Sequence, residues 1–578
     1  MAVSNVGVDY RATPLAEMLT PELSYNQSVK TSTLIKDRVN NIIYPRTGQQ
    51  TFSITPSNQP VIEFQISNTA FTDHTTPCLL MDVQLIFDNS GANIWNQIAV
   101  DGNGQYTGNA TTVIATESLC PWFYQVQEMV NSSLIETTTD VDLANMFRAM
   151  WQQPYDAYKA KSRFACPNFR FQDAGEYPPS NGTVSQPVAG QPTYTYPGYG
   201  LQNAIGGAFT TTDPASNETN EWLLGFGSGE NGVAPGNAGA VYSGAVVQVI
   251  VPLSWMALFS GSSYLPPYAT SNILLKLYTN QIQRMFNVSN SNGNGQATFS
   301  GGAAATAYAA GPPILEVRLG NIRLSYDAVI VSPAVEDAMM SVMNAGGKIF
   351  YPLVHHRVQN DVCNMQGPQG GPKQFLLNCA TSNLISLFQF FLKDTQLTGL
   401  SDPLSYMPNV GFGSLTQSAS NRYYVQIGSK TFPSVSQVVG AGSMWLELLK
   451  ALGDGPILAD RQYYFTIGDL DVATPQVGAP QATATSTATA FNRSGCFALG
   501  INFERIIGAV SQSANAGVST RGVSGIIQSY LAPASATPDV PINGVSYSSL
   551  RNSFRLISVM LYLEYLIIER GGVLSTNV

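Results

Sequence analysis

The pattern that most constrains this chain is a period of two in its apolar residues, which becomes regular near residue 60. Ile62, Phe64 and Ile66 alternate with polar neighbours, and the same alternation runs through residues 81–88. Successive side chains of a β-strand point to opposite faces of a sheet, so a strand with one buried face shows this period. The pattern therefore predicts a chain built mainly from half-buried strands.

A helical period near the middle of the chain separates two runs of predicted strands. Ser332 can cap the start of this helix, Pro333 suits its first position, and Gly346 can end it. Its predicted apolar face consists of Val335, Met339, Val342 and Met343. We place a domain boundary on this helix.

The two runs share a layout. Each contains one inserted amphipathic helix, predicted at residues 139–152 in the first run and 443–452 in the second. Each closes on long apolar strands, predicted as the pair 314–319 and 322–331 in the first run and as residues 556–568 in the second. The other predicted strands include 246–253, 273–278, 349–354, 375–379, 384–393, 423–427, 463–472 and 497–503. Two runs of this size indicate tandem β-sandwiches, for which jelly rolls are a common solution.

The predicted fold class is therefore all-β, with two tandem jelly-roll sandwiches, short inserted helices and long loops. The predicted parts are an N-terminal arm at residues 1–45, a first jelly roll at 46–333, a linker helix at 334–346 and a second jelly roll at 347–578. The longest predicted loops are 174–243 and 287–313. Ordering such loops alone is costly, so we expect them to pack against the loops of a neighbouring copy.

The charge of the chain argues against direct condensation of nucleic acid. Only 11 % of the residues are charged, against about 25 % in typical domains, and the net charge is −9. Residues 1–45 carry four basic and four acidic side chains, so the arm is not a basic tail that could neutralise phosphates. We therefore expect no specific nucleic-acid binding and only weak DNA binding at physiological salt.

The sequence predicts neither a secretory signal nor a membrane span. The first residues lack a basic segment followed by an apolar one. The most apolar stretch, 554–568, contains Arg555 and Glu564 and is shorter than the roughly 20 residues that cross a bilayer. We expect this stretch to be a buried strand in a soluble protein made inside the cell.

Residues that could carry chemistry are few. Of the three histidines, His355 and His356 are adjacent, so in a strand they point to opposite faces and cannot by themselves share a metal ion. We expect them to make polar contacts at the surface or between subunits. The six cysteines show no C-x-x-C spacing, which predicts buried or half-buried thiols in a reducing compartment.

Two pairs of aspartates have D-x-D spacing. Asp140 and Asp142 precede a predicted helix, where capping and the helix dipole favour acidic residues. Asp469 and Asp471 lie on the polar face of a predicted strand. Neither pair is assigned to a metal ion, and the sequence predicts no catalytic, cofactor-binding or metal-binding residues.

The chain resembles the double-jelly-roll major capsid proteins of eukaryotic double-stranded DNA viruses, particularly those of virophages and polinton-like viruses. The segments that carry the resemblance are YYVQIG at 423–428 with MWLELLKALG at 444–453, GCFALGINFE at 495–504 with AGVST at 516–520, and VIVPL at 249–253 with LPP at 265–267. The helix that begins at Pro333 is similar to the connection between the two rolls in that family. The resemblance covers most of residues 46–578 in layout.

This resemblance implies a structural subunit and not an enzyme, with no cofactor. Three copies would form a pseudo-hexagonal homotrimer, a hexon-like capsomer of an icosahedral shell. Its partners would be neighbouring capsomers, a penton protein and minor or cement capsid proteins, while an internal membrane is left open. The protein would be made in the host cytoplasm and assembled into the virion capsid within the host cell.

Two other classes of protein stay open from the sequence alone. A carbohydrate-binding or carbohydrate-active β-sandwich protein would usually carry a signal peptide and, if a hydrolase, two carboxylates facing a cleft. A receptor-binding or spike component of a virus would usually have a single jelly roll or a repetitive shaft. The tandem layout favours the shell subunit over both.

Overall fold

The structure is a computed structural model. It describes residues 35–67, 69–88, 99–100, 106–107, 110–115, 118–148, 241–261, 264–267, 272–292, 296–298, 314–363, 373–393, 397, 422–433, 440–453, 497–503, 517–521, 527–532, 554–569 and 572–576. Much of the predicted loop 174–243 and the predicted strand 463–472, with Asp469 and Asp471, lies outside the described residues.

The first half of the chain forms antiparallel sheets from fifteen described strands. They are β1 (Ile35–Ile43), β2 (Thr51–Ile54), β3 (Val61–Ile66), β4 (Phe71–Thr72), β5 (Cys78–Asp88), β6 (Ala99–Val100), β7 (Tyr106–Thr107), β8 (Ala110–Ala115), β9 (Phe123–Val130), β10 (Ser133–Thr139), β11 (Val241–Pro252), β12 (Ile273–Thr279), β13 (Phe286–Asn292), β14 (Gln296–Thr298) and β15 (Ile314–Val331). One large sheet has the order β1-β15-β5-β11, with β2 and β4 also paired to β15, and the facing sheet has the order β10-β9-β12-β3. Smaller sheets join β14-β13-β8 and β6-β7.

The second half repeats this plan with nine described strands. They are β16 (Ile349–Cys363), β17 (Lys373–Leu377), β18 (Leu384–Lys393), β19 (Arg422–Ile427), β20 (Lys430–Phe432), β21 (Leu499–Asn502), β22 (Ile527–Ala532), β23 (Phe554–Glu569) and β24 (Gly572–Thr576). One sheet has the order β16-β23-β18-β21, with β24 also paired to β23, and the other has the order β17-β22-β19-β20. The apolar stretch near the end of the sequence is thus the central strand β23, as expected.

Short helices join or flank these sheets. They are α1 (Val141–Phe147), a 3₁₀ turn (Ala257–Phe259), α2 (Ile282–Met285), α3 (Pro333–Asn344) and α4 (Gly440–Ala451). The helix α3 begins at Pro333, and Gly346 follows it with a positive φ of 84°, a conformation that glycine adopts without strain. Ser332 precedes the helix but makes no capping hydrogen bond through its side chain. Within α3 only Met343 is buried, while Val342 is 50 % exposed.

The closing element of the first half differs from the prediction. The sequence predicts two strands separated near Gly320 and Asn321, but the structure has one continuous strand, β15. Asn321 takes a positive φ of 49°, and the pairing with β5 shifts register between Gly320 and Arg323. A local irregularity of this kind bends a strand without ending it.

The strand β1 lies within the segment that the sequence assigns to the N-terminal arm. It pairs with β15 along nearly its whole length, from Ile35 opposite Val331 to Ile43 opposite Leu324. Residues 35–43 are therefore an edge strand of the first large sheet. The rest of the predicted arm before residue 35 lies outside the described residues.

Each half encloses an apolar core between its two principal sheets. In the first half, Leu85 and Val317 of one sheet pack with Phe64 and Leu275 of the other, and all four are fully buried. In the second half, Phe391 and Met560 of one sheet pack with Tyr423 and Val425 of the facing sheet. Each half is therefore a two-sheet antiparallel sandwich.

Candidate functional site

The two halves meet along a surface that we call the junction, where β16 of the second half packs against β10, α1 and the 257–261 turn of the first half. Part of the junction is aromatic. The ring of Phe147, in α1, lies 4.5 Å from Phe388 and is stacked 5.9 Å from Phe390, both in β18. Contacts of this kind bury large apolar surfaces from both halves.

Backbone groups also join the halves. The Ser260 hydroxyl accepts a hydrogen bond from the Val354 N–H at 2.9 Å and lies 3.0 Å from the Val354 carbonyl oxygen. The Tyr351 hydroxyl donates to the Leu258 carbonyl oxygen at 3.2 Å. At Gly261 the approach is so close that a Cβ atom would lie 2.7 Å from Tyr351 Oη and 2.8 Å from the carbonyl oxygen of Pro352.

Glu128, in β9, supports the turn that contacts β16. Its carboxylate accepts hydrogen bonds from the backbone N–H groups of Ala257 at 2.8 Å and Leu258 at 2.7 Å. The side chain is almost completely buried. Burial raises the pKa of Glu128 to about 7, although both backbone hydrogen bonds act to lower it.

A buried histidine lies between carboxylates of the two halves. His355 Nδ1, in β16, contacts Glu136 Oε2 of β10, and His355 Nε2 lies 3.6 Å from Glu564 Oε2 of β23. The Tyr562 hydroxyl donates to the same Glu136 oxygen at 3.0 Å, and the Tyr562 ring stacks on the imidazole at 4.9 Å. The His355 side chain has no exposed surface.

The environment of His355 favours a bound proton. Burial by itself lowers the pKa of His355, but the hydrogen bond and charge of Glu136, with the charges of Glu564 and Glu128, outweigh burial and raise it. Burial raises the pKa of Glu564, and the charge of His355 only partly opposes that rise. Burial and the adjacent carboxylates also raise the pKa of Tyr562, so this hydroxyl stays a donor.

The neighbouring histidine is also buried, on the other face of β16. Burial and the nearby charges of Arg148 and His355 hold the pKa of His356 well below its usual value. Because the two residues are adjacent in the strand β16, their rings point to opposite faces, as the sequence predicts. The expectation that they make surface or inter-subunit contacts is wrong, because both are buried within one chain.

A second charged cluster lies wholly within the first half. Arg284, in α2, donates to Asp142 from Nε at 2.8 Å and from Nη2 at 2.7 Å, and its Nη2 also donates to Asp140 at 2.9 Å. Asn280 adds a hydrogen bond to Asp142 at 2.9 Å. Burial lowers the pKa of Arg284, but the two carboxylates raise it more, so the guanidinium stays charged.

The structure corrects the role assigned to these aspartates. Asp140 does precede α1, but its backbone is left-handed and its side chain makes no capping hydrogen bond. Asp142 has no exposed surface and is neutralised by Arg284, which is 142 residues away in sequence. Sequence reasoning missed this arginine because nothing local marks the pairing.

The described thiols are consistent with the sequence. Cys78, Cys120, Cys363 and Cys379 are thiols and not halves of disulfides, and each is buried or partly buried. Burial raises the pKa of Cys379 to about 11, which disfavours the reactive thiolate. Cys166 and Cys496 lie outside the described residues.

These arrangements serve to join parts of the chain. The His355 imidazole is enclosed and contacts carboxylates from both halves, so it can hold a proton between them but has no surface open to a substrate. Among the described residues, no group of three or more histidine, cysteine or acidic side chains is arranged to hold a metal ion. In the same part of the chain, every helix is too short or too polar to span a bilayer.

Among the described residues, several large apolar side chains are exposed, including two sets near β1 and α3. Along and just beyond β1, Val39 is 41 % exposed, Ile42 is 49 % exposed and Tyr44 is 49 % exposed. Beside α3, Val342 and Phe350 are similarly exposed. Exposed apolar side chains of this size are candidates for protein–protein contacts.

Comparison with known proteins identifies the fold. No protein-family model matches this chain, and no curated protein matches its sequence. A chain in the cryo-electron-microscopy structure of the Sputnik virophage is similar with a TM-score of 0.52 at 9 % identity, covering 96 % of this chain and 92 % of that one. The Faustovirus major capsid protein gives a TM-score of 0.46 at 11 % identity, covering 100 % of this chain and 99 % of that one. With the two antiparallel sandwiches described above, the Sputnik similarity confirms the predicted double-jelly-roll fold.

Proposed function

We propose that this chain is a major capsid protein, the shell subunit of an icosahedral double-stranded DNA virus. The observation that carries the proposal is the similarity to a chain of the Sputnik virophage particle, which extends over nearly the whole of both chains. Fold alone does not determine function. The tandem arrangement adds support, because two similar sandwiches in one chain give a subunit with two similar sets of contact surfaces.

We propose that three copies form a pseudo-hexagonal tile, with one corner for each of the six rolls. The exposed apolar residues along β1 and beside α3 support association, because apolar surface is enriched in the cores of obligate interfaces. The low fraction of charged residues, 11 %, leaves few like charges to keep copies apart. We further propose that the division between rolls falls on α3, as the sequence predicts.

The further partners are part of the same proposal. Tiles would contact neighbouring tiles, a penton protein and minor capsid proteins in a virion capsid assembled in the host cell, after synthesis in the host cytoplasm. We propose no enzymatic activity, because the His355 imidazole at the junction has no surface open to a substrate. The net charge of −9 supports weak DNA binding, so that an internal membrane or other basic proteins would line the genome.

The mass of the purified protein tests this proposal. We expect light scattering during size-exclusion chromatography to give a particle of three 62.0 kDa chains, and electron microscopy to show a six-cornered outline. Ile42→Lys would replace an exposed apolar side chain of β1 with a charge and should weaken the trimer, whereas Thr47→Lys, at an exposed polar position nearby, should not. A wild-type protein that is a monomer or dimer at micromolar concentration would remove the capsomer proposal.

A further inference from the structure

Three carboxylates lie around one buried imidazole in the polar part of the junction. Glu136 and Glu564 flank His355 from the two halves, and Glu128 supports the turn beside β16. With every group ionised, these three carboxylates face one imidazolium. Buried charges of one sign repel strongly, so the cluster favours states in which it holds protons.

Other charged and titratable groups face the cluster from the surrounding elements. On the strand of His355 itself, the neighbours are His356 and Arg357, and Arg148 follows α1 and acts on His356. The charges of Arg357, Glu564 and Glu136 act on the pKa of Cys379, which follows β17.

Two more groups complete the surroundings. Arg521 partly offsets the charge of Glu564. Tyr562 of β23 donates to Glu136 and stays a donor. Tyr562 therefore also links the halves, but its hydroxyl is uncharged, whereas His355 can place a positive charge against carboxylates of both halves.

We propose that the His355 cluster is a proton-dependent clamp between the two rolls, in which a protonated imidazole holds Glu136 of the first roll and Glu564 of the second. Loss of that proton at alkaline pH leaves buried carboxylates without their cation and loosens the junction. The clamp lies within one chain, so it does not depend on the proposed function.

The direction of the pH effect follows from the groups involved. The pKa values of His355, Glu564 and Glu128 are all raised in the folded chain, so their contribution to stability is full at low pH and is lost as pH rises through the folded values. His356 has a lowered pKa and acts oppositely, but only below its ordinary value of 6.5. The clamp should therefore weaken as pH rises from about 6.5.

Thermal unfolding as a function of pH tests the clamp on the full chain. We expect the midpoint of the wild-type protein to fall between about pH 6.5 and pH 9, because the raised pKa of His355 makes the folded chain lose stability as pH rises. His355→Gln should be less stable at pH 6.5 and should lose most of this dependence. The matched control is His74→Gln, in the first half and away from the junction, which should keep the full dependence.

The small number of histidines allows a direct measurement. A protein labelled with ¹³C in its histidine rings should give three ring signals. We expect the signal lost in His355→Gln to titrate above 6.5 in the wild-type protein. If His355→Gln fails to fold, Glu564→Gln serves instead, because it keeps the contact with Glu136 and should lower the titration point of the same signal.

The results separate clearly. A signal for His355 that titrates above 6.5, together with an alkaline loss of stability that the His355→Gln or Glu564→Gln variant reduces, supports the clamp. A signal that titrates at or below 6.5, or a pH dependence that persists unchanged in these variants, overturns it. Neither outcome bears on whether the chain assembles into trimers.

Discussion

The two buried charge clusters differ in the cation that lies beside their carboxylates. Within the first half, Asp142 has no exposed surface and is neutralised by Arg284, which also binds Asp140. Between the halves, His355 is the cation that lies against both Glu136 and Glu564. Arginine stays charged at every physiological pH, whereas histidine changes its charge near neutrality.

The difference indicates which cluster keeps its charge as pH changes and which cluster does not. A cluster held by arginine keeps its charge balance whenever the fold is intact. A cluster held by histidine keeps its balance only while the proton is bound. We infer that the Arg284 cluster keeps its cation across physiological pH, while the His355 cluster between the rolls does not.

The largest expected effect is on the arginine cluster. Arg284→Met would leave Asp142 buried without its cation, so we expect a loss of about 3–5 kcal/mol in the free energy of unfolding, measured by chemical denaturation. Arg318→Met is the matched control, because Arg318 pairs with Glu316 on an exposed strand and such pairs contribute about 0–1 kcal/mol. A loss below about 1 kcal/mol for Arg284→Met would show that the two clusters do not differ as we describe.

An intermediate effect is expected from packing at the junction. Gly261→Ala would place a Cβ atom 2.8 Å from the carbonyl oxygen of Pro352, which cannot rotate away, so we expect a loss of about 1–3 kcal/mol. Gly320→Ala, within β15, is the control, since its Cβ would lie 3.8 Å from the nearest atom, in ordinary contact. Equal stability of the two variants would mean that the junction yields more easily than the core of a roll.

The smallest effect depends on pH. Glu128→Gln keeps one acceptor for the backbone N–H groups of Ala257 and Leu258 and loses the other, so we expect a cost of about 1 kcal/mol at low pH, the usual net contribution of one hydrogen bond. Because the pKa of Glu128 is raised to about 7, the wild-type protein loses stability as pH rises from about 4.5 to 7, and the cost of the substitution should shrink over that range.

Glu316→Gln provides a control of opposite sign for this measurement. The hydrogen bond from Arg318 lowers the pKa of Glu316, so any stability that Glu316 adds is present above its ordinary value and is lost as pH falls. Denaturation curves at several pH values should therefore show a cost that shrinks with rising pH for Glu128→Gln. Any cost of Glu316→Gln should grow with rising pH. A cost of Glu128→Gln that grows with pH would contradict the environment described for that carboxylate.

The sequence predicted the strands better than their ends. The prediction for residues 384–393 coincides with β18, because apolar alternation and length both mark it. The continuity of β15 was missed, because Gly320 and Asn321 have the local signature of a turn. The pairing of β15 with β5 continues on both sides of that point, and pairing partners are not visible in a single sequence.

The candidate site was less predictable than the fold. The sequence correctly places His355 and His356 on opposite faces of a strand, but it cannot show that both faces of β16 are covered. That covering comes from β10, α1 and the 257–261 turn, which lie far from β16 in sequence. The pairing of Asp142 with Arg284 was hidden for the same reason.

The strand β23 has a mechanical consequence. Its 16 residues span roughly 50 Å, and it is bonded along one side to β16 over fifteen successive positions and along the other to β18 and β24. A force along this strand loads many hydrogen bonds in shear, so they must yield together, whereas a peeling force would break them one after another. The second roll should therefore resist a force applied along β23 better than a force that peels an edge strand from the sheet.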